Sequence, residues 1–138
     1  GDAVCSQIDV HTYNQYVMKR HHELIAYIHE LGGKVKLHIC GDTNHLLSSY
    51  GEFQLDILDL DYQVNIKHAR SVLGPEVILG GNINPIEIMN KTTTEVETAC
   101  RKLVSKHKDE RFLLSAGCEI SPLSPPENLK AMSLATSI

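Results

Sequence analysis

The 138-residue chain has no excess of basic residues. Its formal net charge is −4, with acids and bases interspersed. That argues against a nucleic-acid surface and against a polybasic patch for a membrane. No apolar run approaches the roughly 20 residues of a spanning helix. The first ten residues, GDAVCSQIDV, have no basic segment and no long apolar core, so no signal peptide is read there. Cysteine is sparse. Cys5, Cys40, Cys100 and Cys118, in a chain with 9 glycines and clear helical stretches, do not make a disulfide framework. A reducing, cytoplasmic setting is the expectation, where cysteines near histidines act as metal ligands, nucleophiles or core residues. No G-x-G-x-x-G follows any strand-like segment, which weakens a dinucleotide-binding reading. His21-His22-Glu23 is not the zinc-protease pattern, which needs two histidines four apart.

What is present is the composition of a globular domain with a real core: 42% hydrophobic and 22% charged. Apolar residues recur at helical spacing from Thr12 to Leu31, and Gly32-Gly33 supplies a stop. Val35 to Ile39 reads as a short buried strand. Thr43 to Tyr50 follows as a short helix capped by Asp42 or Thr43. Leu55 to Leu60 reads as a strand and Ile66 to Leu73 as a helix. Val77 to Leu79 reads as a strand closed by Gly80-Gly81, and Asn84-Pro85 opens a turn. Thr94 to His107 is a long amphipathic helix, Phe112 to Ala116 a fourth strand, and Pro125-Pro126 starts a terminal helix. Short strands, apolar on both faces and separated by helices, predict a parallel α/β sheet. A complete (β/α)8 barrel needs eight such units in about 250 residues. Four are counted, so residues 1–138 read as a single partial domain, about half of a TIM barrel.

His38 and Cys40 stand two apart and therefore share a face at the carboxyl end of the first strand. In α/β folds that end is where active sites are built. Asp61, Asn82, and Cys118 followed by Glu119 lie just beyond the other strands. One imidazole and two thiolates suit zinc, and three protein ligands leave a fourth position open. The competing reading of His-x-Cys is plain core packing. Cys100 within its helix reads as a small apolar filler, and Cys5 falls in an irregular entry segment. His21, His22 and His29 read as solvated, and His11, His45, His68 and His107 as helix ends or surface. His45, just behind the glycine loop, is the exception to watch. Asp56 and Asp59 read as solvated strand-edge acids.

The runs LHICGDT, LDLDYQVNIKHARSVLG, LGGNINP and SAGCEISPLSPPENLKAM together resemble the carboxy-terminal half of the uroporphyrinogen decarboxylase superfamily. The resemblance covers essentially the whole chain and implies a (β/α)8 barrel. The decarboxylases are similar in the Gly81-Asn82 turn but carry histidine where Cys118 stands. The zinc-dependent methyltransferases of the superfamily carry His-x-Cys and a distant Cys, which His38, Cys40 and Cys118 match one by one. The resemblance therefore implies Zn2+ and transfer of a methyl group from a methylated corrinoid protein to a thiol such as coenzyme M. No D-x-H-x-x-G corrinoid motif occurs, so the corrinoid would ride on a separate partner. Asp61 and Asn82 are the expected catalytic-site polar residues. Some relatives place a glutamate ligand where Tyr62 stands, beside Asp61. A uroporphyrinogen decarboxylase-like tetrapyrrole enzyme and a catalytically inactive fragment are the alternatives. A half barrel also leaves two raw sheet edges, so a homodimer that buries them is a further expectation.

Overall fold

The computed structural model describes residues 4–137. A continuous helical segment opens it: α1 (Val10–Thr12), a π-type stretch Tyr13–Val17, and α2 (Met18–Glu30). It starts two residues earlier than the periodicity predicts. The Asp9 carboxylate accepts the Thr12 backbone N–H at 2.7 Å and so fixes the first turn. Gly32, at φ +75°, takes the left-handed conformation that ends α2.

Four strands follow: β1 (Lys36–Ile39), β2 (Ile57–Leu60), β3 (Ile78–Ile83) and β4 (Phe112–Ala116). They form one sheet in the order β1-β2-β3-β4, every pair parallel. Between them lie α3 (Leu47–Tyr50), α4 (Ile66–Leu73), α5 (Pro85–Asn90) and α6 (Thr93–Lys106), and α7 (Pro126–Leu134) closes the series. This is the expected α/β pattern of strand-helix units. Among the described residues no helix is long and apolar enough to cross a membrane.

Two segments differ from the sequence expectation. Strand β3 does not stop at Gly80-Gly81 but runs through both glycines to Ile83. The glycines let β2 approach. A Cβ on Gly80 would lie 2.9 Å from Asp59 Oδ1, and one on Gly81 would lie 2.6 Å from the Leu60 carbonyl oxygen. The Asn84-Pro85 turn is the start of helix α5. The Asn84 side chain accepts the Ile86 N–H, and Pro85 needs no donor at a first helical position.

The sheet has two unlike faces. Ile39, Leu58, Leu60 and Leu79 are buried with Ile25, Leu46, Leu47, Tyr50, Ile66 and Ala69 in the larger core. Ile83 joins Ile88, Val96, Cys100 and Ala135 in a second cluster. The opposite face carries Lys36, His38, Asp59, Asn82 and Ser115, all exposed or half-buried. Ile57, Ile78 and Leu113 share that face, so it is mixed, and the expectation of strands apolar on both faces holds in full only where the helices pack. Helix packing demands the apolar face. The mixed one lines the concave side of the sheet, where the site lies.

Candidate metal centre

Strand β1 ends where its chemistry begins. His38 lies within it, and Cys40 follows its last residue at the same side. His38 Nε2 stands 3.4 Å from Cys40 Sγ. Cys118, in the loop after β4, donates its thiol toward Cys40 Sγ at 3.5 Å. Among the described residues these three are the group able to hold a metal, with ligand atoms all within 4.8 Å of one another. The separation in sequence is large, yet the real obstacle is the sheet. β1 and β4 are its two opposite edges. Three inter-strand steps of about 4.8 Å would hold those edges roughly 14 Å apart in a flat sheet. The 3.5 Å contact is made by the loops past the two edge strands, Cys118 lying two residues beyond β4, together with the inward curl that a barrel gives its sheet.

The donor set fits a tetrahedral zinc ion. Sulfur at about 2.3 Å and nitrogen at about 2.0 Å from a metal imply ligand-to-ligand edges of roughly 3.5–3.8 Å. Two of the three edges, 3.4 Å and 3.5 Å, are close to that, and all three lie within 4.8 Å. The imidazole is also held in the right tautomer. His38 Nδ1 lies 2.9 Å from the Asp59 carbonyl oxygen, which can only accept. Nδ1 therefore carries the proton, and Nε2 presents its lone pair toward the sulfurs. Burial, then the neighbouring Cys118 thiol, then the Asp61 carboxylate push the Cys40 thiol above its ordinary range. Without a cation Cys40 resists ionisation, and a divalent ion would supply the missing charge.

The expected polar residues lie close by and are held by backbone groups. Asp61 is buried, and both carboxylate oxygens are occupied by backbone donors. Oδ2 accepts the Gly41 N–H at 2.8 Å and Oδ1 the Gln63 N–H at 3.0 Å. It thereby pins the peptide next to Cys40. Asn82 donates from Nδ2 to the carbonyls of Val64 at 2.8 Å and Asp61 at 3.3 Å. It ties β3 to the loop after β2. Tyr62 is exposed.

Several histidines and acids are engaged rather than solvated. His21 Nδ1 pairs with the Tyr13 hydroxyl at 2.9 Å. His29 meets Asp56 at 3.0 Å, and the buried His107 meets Glu110 at 3.1 Å. His45 Nε2 donates to the Ile8 carbonyl at 2.9 Å and anchors the entry segment instead of joining the three ligands. Cys100 is fully buried core, and burial alone pushes its thiol up to about 11. Cys5 is buried too. The residue that sequence reasoning missed is Asp59. It receives Lys36 Nζ at 2.8 Å and the Ser115 hydroxyl at 2.9 Å while its carbonyl orients His38. It stands two residues before Asp61, just inside the end of β2, and that spacing alone does not mark it as held.

Residues 1–137 match the family described as Uroporphyrinogen decarboxylase (URO-D). The chain is 31% identical over 121 residues to the methylcobamide:CoM methyltransferase MtbA of Methanosarcina acetivorans, covering 87% of this chain and 34% of that protein. It is 29% identical over 130 residues to a methylated-thiol–coenzyme M methyltransferase of Methanosarcina mazei, with 94% and 34% covered. A solved structure, a methyltransferase from Methanosarcina mazei, is similar with a TM-score of 0.82 at 25% identity, over 97% of this chain and 39% of that one. The chain thus spans about a third of the length of the curated relatives it matches.

Proposed function

Since the chain belongs to the uroporphyrinogen decarboxylase (URO-D) family, we propose that it is the metal-bearing portion of a methyltransferase barrel that passes a methyl group from a methylated corrinoid protein to a thiol. The observation that carries this reading is the convergence of His38 Nε2, Cys40 Sγ and Cys118 Sγ within 4.8 Å. The relatives' names, methylcobamide:CoM methyltransferase and methylated-thiol–coenzyme M methyltransferase, support the donor and acceptor classes. Four free cysteines fit a reducing, cytoplasmic setting.

His38, Cys40 and Cys118 would hold the zinc ion. Bound zinc would supply full deprotonation of an acceptor thiol, of which only about 3% is ionised at neutral pH when its pKa is roughly 8.5. The chain's own residues set the character of that site. Cys40 and Cys118 bring two negative charges, matching the dication, so that a further thiolate stays electron-rich. His38 brings none. Three neutral imidazoles would instead leave a strongly positive centre suited to water. Asp61 fixes the Gly41 amide beside Cys40, and the Asp59 carbonyl holds the proton on His38 Nδ1. The methyl donor would approach from the carboxyl ends of the strands. The open edges of β1 and β4 are read as pairing with further barrel strands, which makes a homodimer through those edges unnecessary.

Metal analysis of the purified protein tests the reading. About one zinc per chain is expected, lost in Cys118→Ala and in His38→Ala. X-ray absorption at the zinc edge should add one sulfur to the shell when an acceptor thiol is supplied. Full zinc retention in both variants would sink it, and binding of a porphyrinogen without metal would point to tetrapyrrole chemistry.

A further inference from the structure

Cys40 and Cys118 lie 78 residues apart, on loops past opposite edges of the sheet, yet their sulfurs stand 3.5 Å from each other. Backbone contacts seat both loops. Gly41, the neighbour of Cys40, donates its N–H to Asp61 Oδ2 at 2.8 Å. Gly117, the neighbour of Cys118, donates its N–H to the Ile83 carbonyl at 2.7 Å. Each sulfur therefore sits one residue from a pinned peptide. A disulfide bond measures about 2.05 Å, so the pair has only to close by roughly 1.5 Å.

Access separates these two thiols from the others. Cys5 and Cys100 are 2% and 0% exposed, whereas Cys40 and Cys118 are half-buried. Cys118 also stands in the wall of an open cavity. Oxidation of a thiol follows its exposure, and a second thiol within reach diverts the first product to a disulfide.

We propose that Cys40 and Cys118 form a reversible disulfide site, oxidised by a hydroperoxide. One sulfur attacks the hydroperoxide; the O–O bond breaks, an alcohol (water, from hydrogen peroxide) leaves, and a sulfenic acid forms. The second sulfur attacks the first; an S–S bond forms, the S–O bond breaks, and water leaves. The thiols lose two electrons and two protons, and the hydroperoxide is reduced to an alcohol and water. The consequence is exclusion. Once joined, the two sulfurs are no longer thiolates, so His38 alone remains of the three metal ligands. In a reducing setting the bond forms under oxidant load and is undone by thiols. This inference goes beyond the methyl-transfer reading and uses only the meeting of the two sulfurs.

Hydrogen peroxide tests it on the full-length protein, zinc-loaded and zinc-stripped, with intact mass, peptide mapping after alkylation and zinc content as readouts. The stripped protein is expected to lose two hydrogens and to yield a linked peptide pair holding Cys40 and Cys118. The loaded protein should release about one zinc for each link formed, and dithiothreitol should restore both thiols and zinc uptake. Cys118→Ser should abolish the link and drive Cys40 on to sulfinic acid. Cys100→Ala should form the link as the unmodified protein does. Sulfinic acid on Cys40 or Cys118 of the unmodified protein in place of the link, a link that includes Cys5 or Cys100, or unreacted thiols in the stripped protein overturns the proposal. A linked protein that retains its zinc, or a reduced one that takes none up, sinks the assignment of the metal to these cysteines and leaves the disulfide standing.

Discussion

Gly80 illustrates how one missing side chain organises several others. With only hydrogen at that position, the Asp59 carboxylate lies across β3 and joins Lys36 on one side to Ser115 on the other. Gly80→Ala would set a methyl 2.9 Å from Asp59 Oδ1. Asp59 would have to move and give up one of its two partners. A destabilisation of about 1–3 kcal/mol is expected, the usual range for overpacking, together with weaker zinc retention because Asp59 also orients His38. Thermal unfolding and metal analysis of the variant check both parts. Cys100 offers a second test, through pH. Its folded pKa stands at about 11 against an ordinary 9.0. The folded state therefore keeps the thiol protonated where the unfolded chain ionises. Stability from this group is complete below about pH 9 and is lost as pH rises toward 11. The difference between wild type and Cys100→Ala in urea midpoint should shrink over that window. A constant difference would show that the thiol ionises freely in the folded state.

Asp56 ties elements together that the sequence presents separately. Its carboxylate takes Lys34 Nζ at 2.8 Å, the Val35 N–H at 2.8 Å and His29 Nε2 at 3.0 Å. The end of α2, the entry to β1 and the entry to β2 thus meet at one side chain. Lys34 foremost, then the Val35 amide and His29, hold its pKa well below the ordinary carboxylate value of 3.8. A depressed pKa means stability that is present above about pH 4 and lost as the pH falls. Asp56→Asn should cost about 2 kcal/mol at pH 7, on the scale of hydrogen bonds to a charged group, and much less at about pH 2, because the contribution is lost only as the pH falls through the depressed folded pKa. Denaturation at the two values measures it. Elements of this kind were legible in part. Helix periodicity and the four apolar strands gave the α/β order, because burial against helices imposes those patterns. The extent of β3 was not legible, since Gly-Gly signals a turn locally and becomes strand only when β2 crowds against it. The short helix α5 reads as a turn in the sequence because Asn-Pro opens both equally well. Of the site, His38, Cys40 and Cys118 could be picked out by residue type and strand-end position. Asp59 could not, because nothing in LDLDYQ distinguishes a solvated acid from one held by a lysine three residues before Ile39 on the neighbouring strand.

At the scale of the whole molecule, the metal site and the curvature of the sheet are one problem. The helix-facing side of the sheet is packed with apolar residues, which stabilises each neighbouring pair of strands. Nothing in that packing by itself brings the loop after β4 back to the loop after β1. The loop after β4 is seated by its backbone, with the Gly117 N–H on the Ile83 carbonyl at 2.7 Å and Gly117 packed on the Tyr62 backbone, and Cys118 then meets Cys40 at 3.5 Å. An ion held by both loops would bind the curled sheet and not an opened one. Binding to one state alone stabilises it by RT ln(1 + [L]/Kd), about 2.7 kcal/mol when free zinc is a hundredfold above its dissociation constant. Zinc removal by a chelator should therefore lower the melting temperature. It should also raise amide hydrogen exchange selectively in the segments flanking Cys40 and Cys118, while β2 and β3, held on both sides by neighbours, keep their protection. Cys118→Ser should show the loosened pattern with or without added zinc. Uniform exchange across all four strands on chelation would mean that the metal supports the fold generally and does not close the sheet at its two edges.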